Sequence, residues 1–136
     1  MRSKHSKELE IEKEGRDKGK IFVLTPMSAW DAEEWATKAL FAIMNAGVEV
    51  PDNIMESGLA GLAYVGFQAL KKVRFEEVRP LWEQVMECVQ IKPSAKVIRA
   101  ITKDDIEEVS TLLLLRKEVV KMHLDFFMFG GESISE

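Results

Sequence analysis

The sequence predicts a mainly α protein of the α+β class, in which an N-terminal β-hairpin precedes a compact bundle of about four helices with a long C-terminal helix. Apolar and polar residues alternate at the beginning of the chain, as they do in a half-exposed strand. Apolar residues then recur at helical spacing through most of the remaining sequence, and the last such run is the longest. A length of 136 residues suits a single domain, 1–136, with one core.

The composition is that of an acidic, soluble protein. Hydrophobic residues make up 46% of the chain, and 19 Lys and Arg stand against 23 Asp and Glu, for a net charge of -4. This balance argues against a nucleic-acid-binding protein, which would normally carry a basic surface. Residues 1–7 are expected to be a disordered start, and the hydrophilic opening predicts neither a signal peptide nor a membrane segment. We therefore expect a cytoplasmic protein without a membrane partner.

The β-hairpin is predicted over residues 8–25. Leu9 and Ile11 alternate with glutamates, "GRDKG" supplies turn residues, and the apolar run 21–24 forms the return strand. An isolated hairpin is only marginally stable in water, so it should lie on an apolar surface or pair with another chain.

The helical body is predicted over residues 28–129, and its first helix begins at Ser28. Asp31, three residues later, completes a capping box, and Gly47 provides the C-terminal stop. One face of this helix is rich in alanine, and Trp30 and Phe41 fall well away from that face. Either another element of the same fold covers them, or they belong to a second apolar surface.

Two further helices are expected in the middle of the chain. The segment 53–72 is apolar on nearly all sides, as is typical of a central core helix, and is too short for a membrane span. The next helix is predicted to begin near Val78, with Pro80 in its first turn, and to continue to about residue 91. Residues 92–100 are then a connector with a short extended piece.

The last helix is predicted to begin at Thr102, which forms a second capping box with Asp105, and to reach Phe129. Residues 130–136, which start with two glycines, are expected to be a flexible tail. Two apolar stripes run along this helix, with centres about 140° apart. One comprises Ile106, Val109, Leu113, Val120, Leu124 and Phe127, and the other Leu112, Leu115, Val119, Met122, Phe126 and Phe129.

One stripe suffices to dock a helix on its own domain, so the second needs another cover. We expect the stripe that contains Val109 and Leu113 to be the core stripe, and the one that contains Leu115 and Met122 to need a partner. Its cover would be the hairpin, a second copy of the chain or a different protein. If the helix is central in the fold, both stripes are intramolecular.

No catalytic, cofactor-binding or metal-binding site is predicted. Cys88 is the only cysteine and has no histidine tied to it, so we expect a buried apolar role. His123 and Arg116 are close in sequence but lack a partner histidine, cysteine or carboxylate pair. The cluster "DDIEE" has no calcium-loop spacing and suits the first turns of a helix. A small helical enzyme or ligand-binding protein is therefore disfavoured.

Three segments of the chain resemble the tail assembly chaperones of long-tailed, siphovirus-type bacteriophages. They are "FVLTPMSAWDAEEWATKAL", "FEEVRPLWEQVMECVQI" and "ITKDDIEEVSTLLLLRKEVVKMHLDFF". The likeness covers roughly residues 8–129 and rests on soft patterns without a catalytic signature. It implies a mostly helical, non-enzymatic protein of the host cytoplasm that multimerises along the tape measure protein. It also implies a longer, frameshifted form that reaches the tail tube protein.

The resemblance supplies no binding residues, so the candidates for the partner-binding surface come from the helical periodicity. They are Trp30, Phe41, Leu112, Leu115, Val119, Met122, Phe126 and Phe129. The expected function is that of a chaperone that keeps the tape measure protein soluble and is absent from the mature virion. The alternative is a structural adaptor that stays in the virion and uses the same surface as a permanent subunit interface.

Overall fold

A four-stranded antiparallel sheet is the main feature of the computed structural model. The structure describes residues 5–48, 52–53 and 72–135, with the backbone alone from residue 124 onward. The strands are β1 (Lys7–Glu10), β2 (Ile21–Leu24), β3 (Val89–Ser94) and β4 (Val97–Ala100). They lie in the order β1-β2-β3-β4, so the hairpin expected at the N-terminus is one half of a larger sheet.

Three helices accompany the sheet in the described part of the chain: α1 (Ala29–Asn45), α2 (Phe75–Met86) and α3 (Val109–Ser135). The expected bundle of about four helices, closed by a long C-terminal one, is therefore wrong as an architecture. The central helix predicted over residues 53–72 lies outside the described residues, apart from its two end positions.

A helical bundle was predicted because the strands β3 and β4 are not recognisable in the sequence. Val89 and Ile91 directly follow an amphipathic helix and are apolar themselves, so helical periodicity extends over them in the sequence. Pro93 lies inside β3 and cannot donate a ladder hydrogen bond, and the pairing shifts register between Ile91 and Ser94. Every residue of β4 is exposed, so the strand shows no alternation between apolar and polar positions.

The chain divides into two compact units. The first comprises residues 1–27 and 84–123, and thus the sheet and the beginning of α3. The second comprises residues 28–83 and 124–136, and thus α1 and most of α2.

The core of the first unit lies between the sheet and α3. Residues paired across strands share a face, and the pairs Leu24–Val89 and Phe22–Ile91 place four apolar residues on one side of the sheet. All four are buried. Lys7, on the same face, binds Glu118 of α3 at 3.0 Å, so this is the side on which the helix packs. The helix contributes three buried residues one turn apart, Thr111, Leu115 and Val119.

The loop between β1 and β2 fixes the start of α3. Asp17 is only 1% exposed, and its carboxylate accepts hydrogen bonds from the backbone N–H groups of Glu107 and Glu108 at 2.9–3.1 Å. These groups precede the first turn of α3, where free N–H groups and the helix dipole favour an anion. Asp17 thus caps a helix that lies far away in the sequence.

Basic side chains of the same loop complete this capping cluster. The Lys20 ammonium lies 2.8 Å from the Asp17 carboxylate and 3.0 Å from that of Glu107. The Arg16 guanidinium lies 2.6 Å from the Glu108 carboxylate. Burial alone would raise the pKa of Asp17, but hydrogen bonds from Lys20, from the Thr111 hydroxyl and from the backbone outweigh it and hold that pKa well below its usual range.

The expected second capping box is present but serves a different element. Thr102 and Asp105 bracket a 3-10 turn, Lys103–Asp105, and the α-helix begins only at Val109. The Arg99 guanidinium holds both Asp105 oxygens at 2.8 Å, which lowers the pKa of that carboxyl. At its other end the helix continues through Gly130 to Ser135, beyond the predicted stop at Phe129.

Candidate partner-binding surface

The helix α1 carries the candidate site, and local sequence defines both of its ends. The Ser28 hydroxyl accepts a hydrogen bond from the Asp31 N–H at 3.2 Å, as a helix N-cap does. The helix ends at Asn45, and Gly47 follows with φ of 87°, a left-handed conformation that glycine adopts without strain. Both ends agree with the sequence prediction to within a residue.

One face of α1 packs within the second unit. Ala32 is buried, and Trp35, Ala36, Ala39 and Ile43 are half-buried. The Trp35 indole N–H donates a hydrogen bond to the Leu81 carbonyl of α2 at 3.0 Å. Because that indole is both half-buried and hydrogen-bonded, it joins α1 to α2 and fixes which side of α1 faces inward.

The opposite face of α1 exposes large apolar side chains. Trp30 is 88% exposed, Phe41 is 57% exposed and Met44 is 52% exposed. Together with Glu34 and Thr37 they follow the spacing 4, 3, 4, 3 in the sequence, which places all five within about 40° of one line along the helix. We call these five residues the outer face. Leu40, at its border, is also exposed.

Carboxylates surround the N-terminal half of the outer face. Asp31, Glu33 and Glu34 are exposed within one turn of Trp30. Lys38 is the only basic residue of α1, and its ammonium lies 2.9 Å from the Glu34 carboxylate. The apolar surface is thus bordered by negative charge at one end.

The predicted site residues fall into three groups. Trp30 and Phe41 lie on the outer face of α1 and are exposed. Leu115 and Val119 are fully buried in the core of the first unit, and Leu112 and Met122 are half-buried beside them. The side chains of Phe126 and Phe129 lie outside the described residues.

The stripe assignment on α3 is therefore reversed in its described part. Val109 and Leu113, expected in the core, are 74% and 57% exposed, whereas Leu115 and Val119, expected at an interface, are fully buried. A helical wheel gives the angle between two stripes but contains nothing about which of them meets the rest of the chain.

Sequence reasoning missed Met44 as a member of the outer face. Its position, fourteen residues beyond Trp30, continues the same heptad spacing, and that signal was present in the sequence. Phe75 of α2 was missed as well; it is exposed, with the Arg79 guanidinium 5.5 Å from its ring centroid.

The histidine and the cysteine have structural surroundings. His123 Nε2 accepts a hydrogen bond from the Met27 N–H at 2.9 Å, so Nδ1 carries the proton and donates to the Val119 carbonyl at 2.8 Å. Burial raises the pKa of the Cys88 thiol to about 11, which disfavours the nucleophilic thiolate. Both side chains therefore serve packing and hydrogen bonding.

The described residues contain neither a candidate metal site nor a candidate membrane span. No group of three or more histidine, cysteine or carboxylate side chains is arranged to hold a metal ion within this part of the chain. Among the helices of the same residues, none is long and apolar enough to cross a bilayer.

Comparison with models of protein families, with curated proteins and with solved structures finds no match.

Proposed function

We propose that this protein is a bacteriophage tail assembly chaperone that binds the tape measure protein in the host cytoplasm and keeps it soluble while the tail tube forms. The observation that carries the proposal is the outer face of α1, where Trp30, Phe41 and Met44 are exposed on one line. The likeness of three sequence segments to this chaperone family supports the same reading. The function is non-enzymatic.

The outer face has the properties of a surface that binds a helical client. Heptad spacing of apolar residues lets a second helix lie along the first and pack its own apolar residues between them. Methionine and aromatic side chains adapt to clients of varied shape, since methionine is flexible and aromatic rings offer large contact areas. A long, helix-rich tape measure protein would present many such segments.

The size of the outer face supports reversible binding. The 17 residues of α1 extend over about 25 Å, and a face about 10–15 Å wide gives roughly 250–400 Å². Stable protein interfaces bury about 800 Å² on each partner. A single contact of this size would be weak and fast to dissociate, as a chaperone requires when the growing tube replaces it.

Co-expression with the tape measure protein of the same phage tests the proposal. We expect that the wild-type chain raises the soluble fraction of the client, and that Trp30→Ser with Phe41→Ser abolishes the gain while the chain itself remains folded. The control is Val109→Ser with Leu113→Ser, which removes comparably exposed apolar side chains from α3. An unchanged client solubility with and without the wild-type chain would refute the proposal.

The composition of the virion separates a chaperone from a structural adaptor. A chaperone leaves when assembly ends, so mass spectrometry of purified mature particles should find the chain absent. Its presence at a fixed ratio to the tail tube protein would instead assign it as a virion component.

A further inference from the structure

We infer that the occupant of the outer face is an amphipathic helix whose apolar seam is flanked by lysine or arginine side chains. This inference rests on the proposed function and names the chemistry of the client segment that binds there. Two features of α1 support it: the exposed apolar side chains of the outer face, and the carboxylates near Trp30 at one end of that face.

The apolar line selects a helix. Trp30, Phe41 and Met44 lie along the axis of α1 at heptad positions, with Glu34 and Thr37 between them. An extended strand repeats its side chains every two residues and would find no backbone ladder on a helix surface. A helix with apolar residues at spacing 3 and 4 presents its side chains along the same line and can contact Trp30, Phe41 and Met44 together.

The charges select a basic helix. Two exposed carboxylates, Asp31 and Glu33, border the outer face, and a third, Glu34, lies within it. The single ammonium of α1, that of Lys38, is paired with Glu34 and leaves the other two carboxylates uncompensated on this helix. Lysine or arginine beside the seam of the partner would lie near these carboxylates and gain charge complementarity. A cation placed there would also lie within reach of the exposed Trp30 ring, and indole is the best aromatic partner for a cation.

A second copy of α1 fits this surface poorly. In a parallel pair the carboxylates of Asp31, Glu33 and Glu34 would face those of the other copy. In an antiparallel pair they would face the opposite end of the helix, where Met44 and Asn45 offer no cation. Neither arrangement gives charge complementarity, so a basic client helix is favoured over self-association through this face.

Synthetic helices of defined charge test the inference directly. Fluorescein-labelled peptides of about 18 residues would match the length of α1. One carries leucine at the heptad seam with lysine beside it, and the other has the same seam with glutamate beside it. Binding is measured by fluorescence anisotropy against the full chain, at low and at high salt.

We expect the lysine-flanked peptide to bind about tenfold more tightly than the glutamate-flanked one at low salt, with the difference shrinking at high salt. Glu33→Gln with Glu34→Gln should weaken the lysine-flanked peptide several-fold. Glu76→Gln, which removes an exposed carboxylate from the first turn of α2, should leave it unchanged.

The remaining outcomes separate this inference from the function on which it rests. Equal binding of both peptides, sensitive to Trp30→Ser, would overturn the charge preference and leave client docking on α1 intact. Binding of neither peptide, together with normal client solubilisation by the Trp30→Ser, Phe41→Ser variant, would overturn the docking site itself. Concentration-dependent self-association that is lost in that variant would overturn the inference in favour of a second copy of the chain.

Discussion

The buried carboxylate of Asp17 should be the most sensitive polar group in the first unit. Asp17→Ala removes the acceptor for the N–H groups of Glu107 and Glu108, leaves the Thr111 hydroxyl without its partner, and deprives Lys20 of its shortest ion pair. Loss of an N-cap costs about 0.5–2 kcal/mol, and removal of one member of a buried ion pair costs about 3–5 kcal/mol. Lys20 keeps Glu107 as a partner, so we expect a loss of about 3 kcal/mol in the free energy of unfolding.

Chemical denaturation followed by far-UV circular dichroism measures this loss, with Glu107→Gln as the matched control. The Glu107 side chain is 45% exposed in its pair with Lys20, so removal of its charge should cost less than about 1 kcal/mol. Amide hydrogen exchange should show faster exchange at Glu107, Glu108 and the first turn of α3 in Asp17→Ala. The reasoning is refuted if Asp17→Ala and Glu107→Gln destabilise equally, because the cap would then contribute nothing beyond a surface ion pair.

Three further predictions concern the buried residues of α3, the loss of folding stability at low pH and the reactivity of the Cys88 thiol. In urea denaturation, Leu115→Ala should lower the free energy of unfolding by about 2–5 kcal/mol and Leu113→Ala by less than about 0.5 kcal/mol. A larger loss for Leu113→Ala would mean that the stripe with Val109 and Leu113 is the core stripe, as the sequence predicted. The pKa values of Asp17 and Asp105 are lowered in the folded state, so these carboxylates stabilise the fold fully above about pH 4 and lose that contribution as the pH falls below it. In an acid titration, the free energy of unfolding of Asp17→Asn should fall less steeply with pH than that of the wild type, and identical profiles would contradict this. Burial raises the pKa of the Cys88 thiol from 9.0 to about 11, so at pH 7 the native chain should react with iodoacetamide about 100-fold more slowly than the denatured chain. Similar rates in the two states would contradict the burial of this thiol.

Features encoded by neighbouring residues could be predicted from the sequence. The cap at Ser28, the stop at Gly47 and the two strands around "GRDKG" depend on residues within a few positions of each other. The turn chemistry, the capping side chain and the alternation are all visible locally. The helical angle also predicted that Trp30 and Phe41 lie away from the alanine-rich face of α1, but it left open whether another element covers them. The structure shows both side chains exposed.

Features that depend on residues far apart in the chain could not be predicted from the sequence. The cap that Asp17 places on the start of α3 joins positions 90 residues apart, and in the sequence Asp17 is only a turn residue. The strand pair β3–β4 stays hidden because one strand continues the apolar pattern of a helix and contains a proline, while the other has no buried residue. The choice between the α3 stripes depends on which one meets the sheet, and the sheet itself was only half predicted.

Site-specific photocrosslinking shows whether the outer face of α1 contacts the client. A photoreactive benzoylphenylalanine at position 41 is compared with one at position 113, since Phe41 and Leu113 are both 57% exposed in the free chain. During co-expression with the tape measure protein, irradiation should link the client to position 41 and not to position 113. A crosslink to the client from position 113 alone, or from position 41 only to another copy of this chain, would contradict the account.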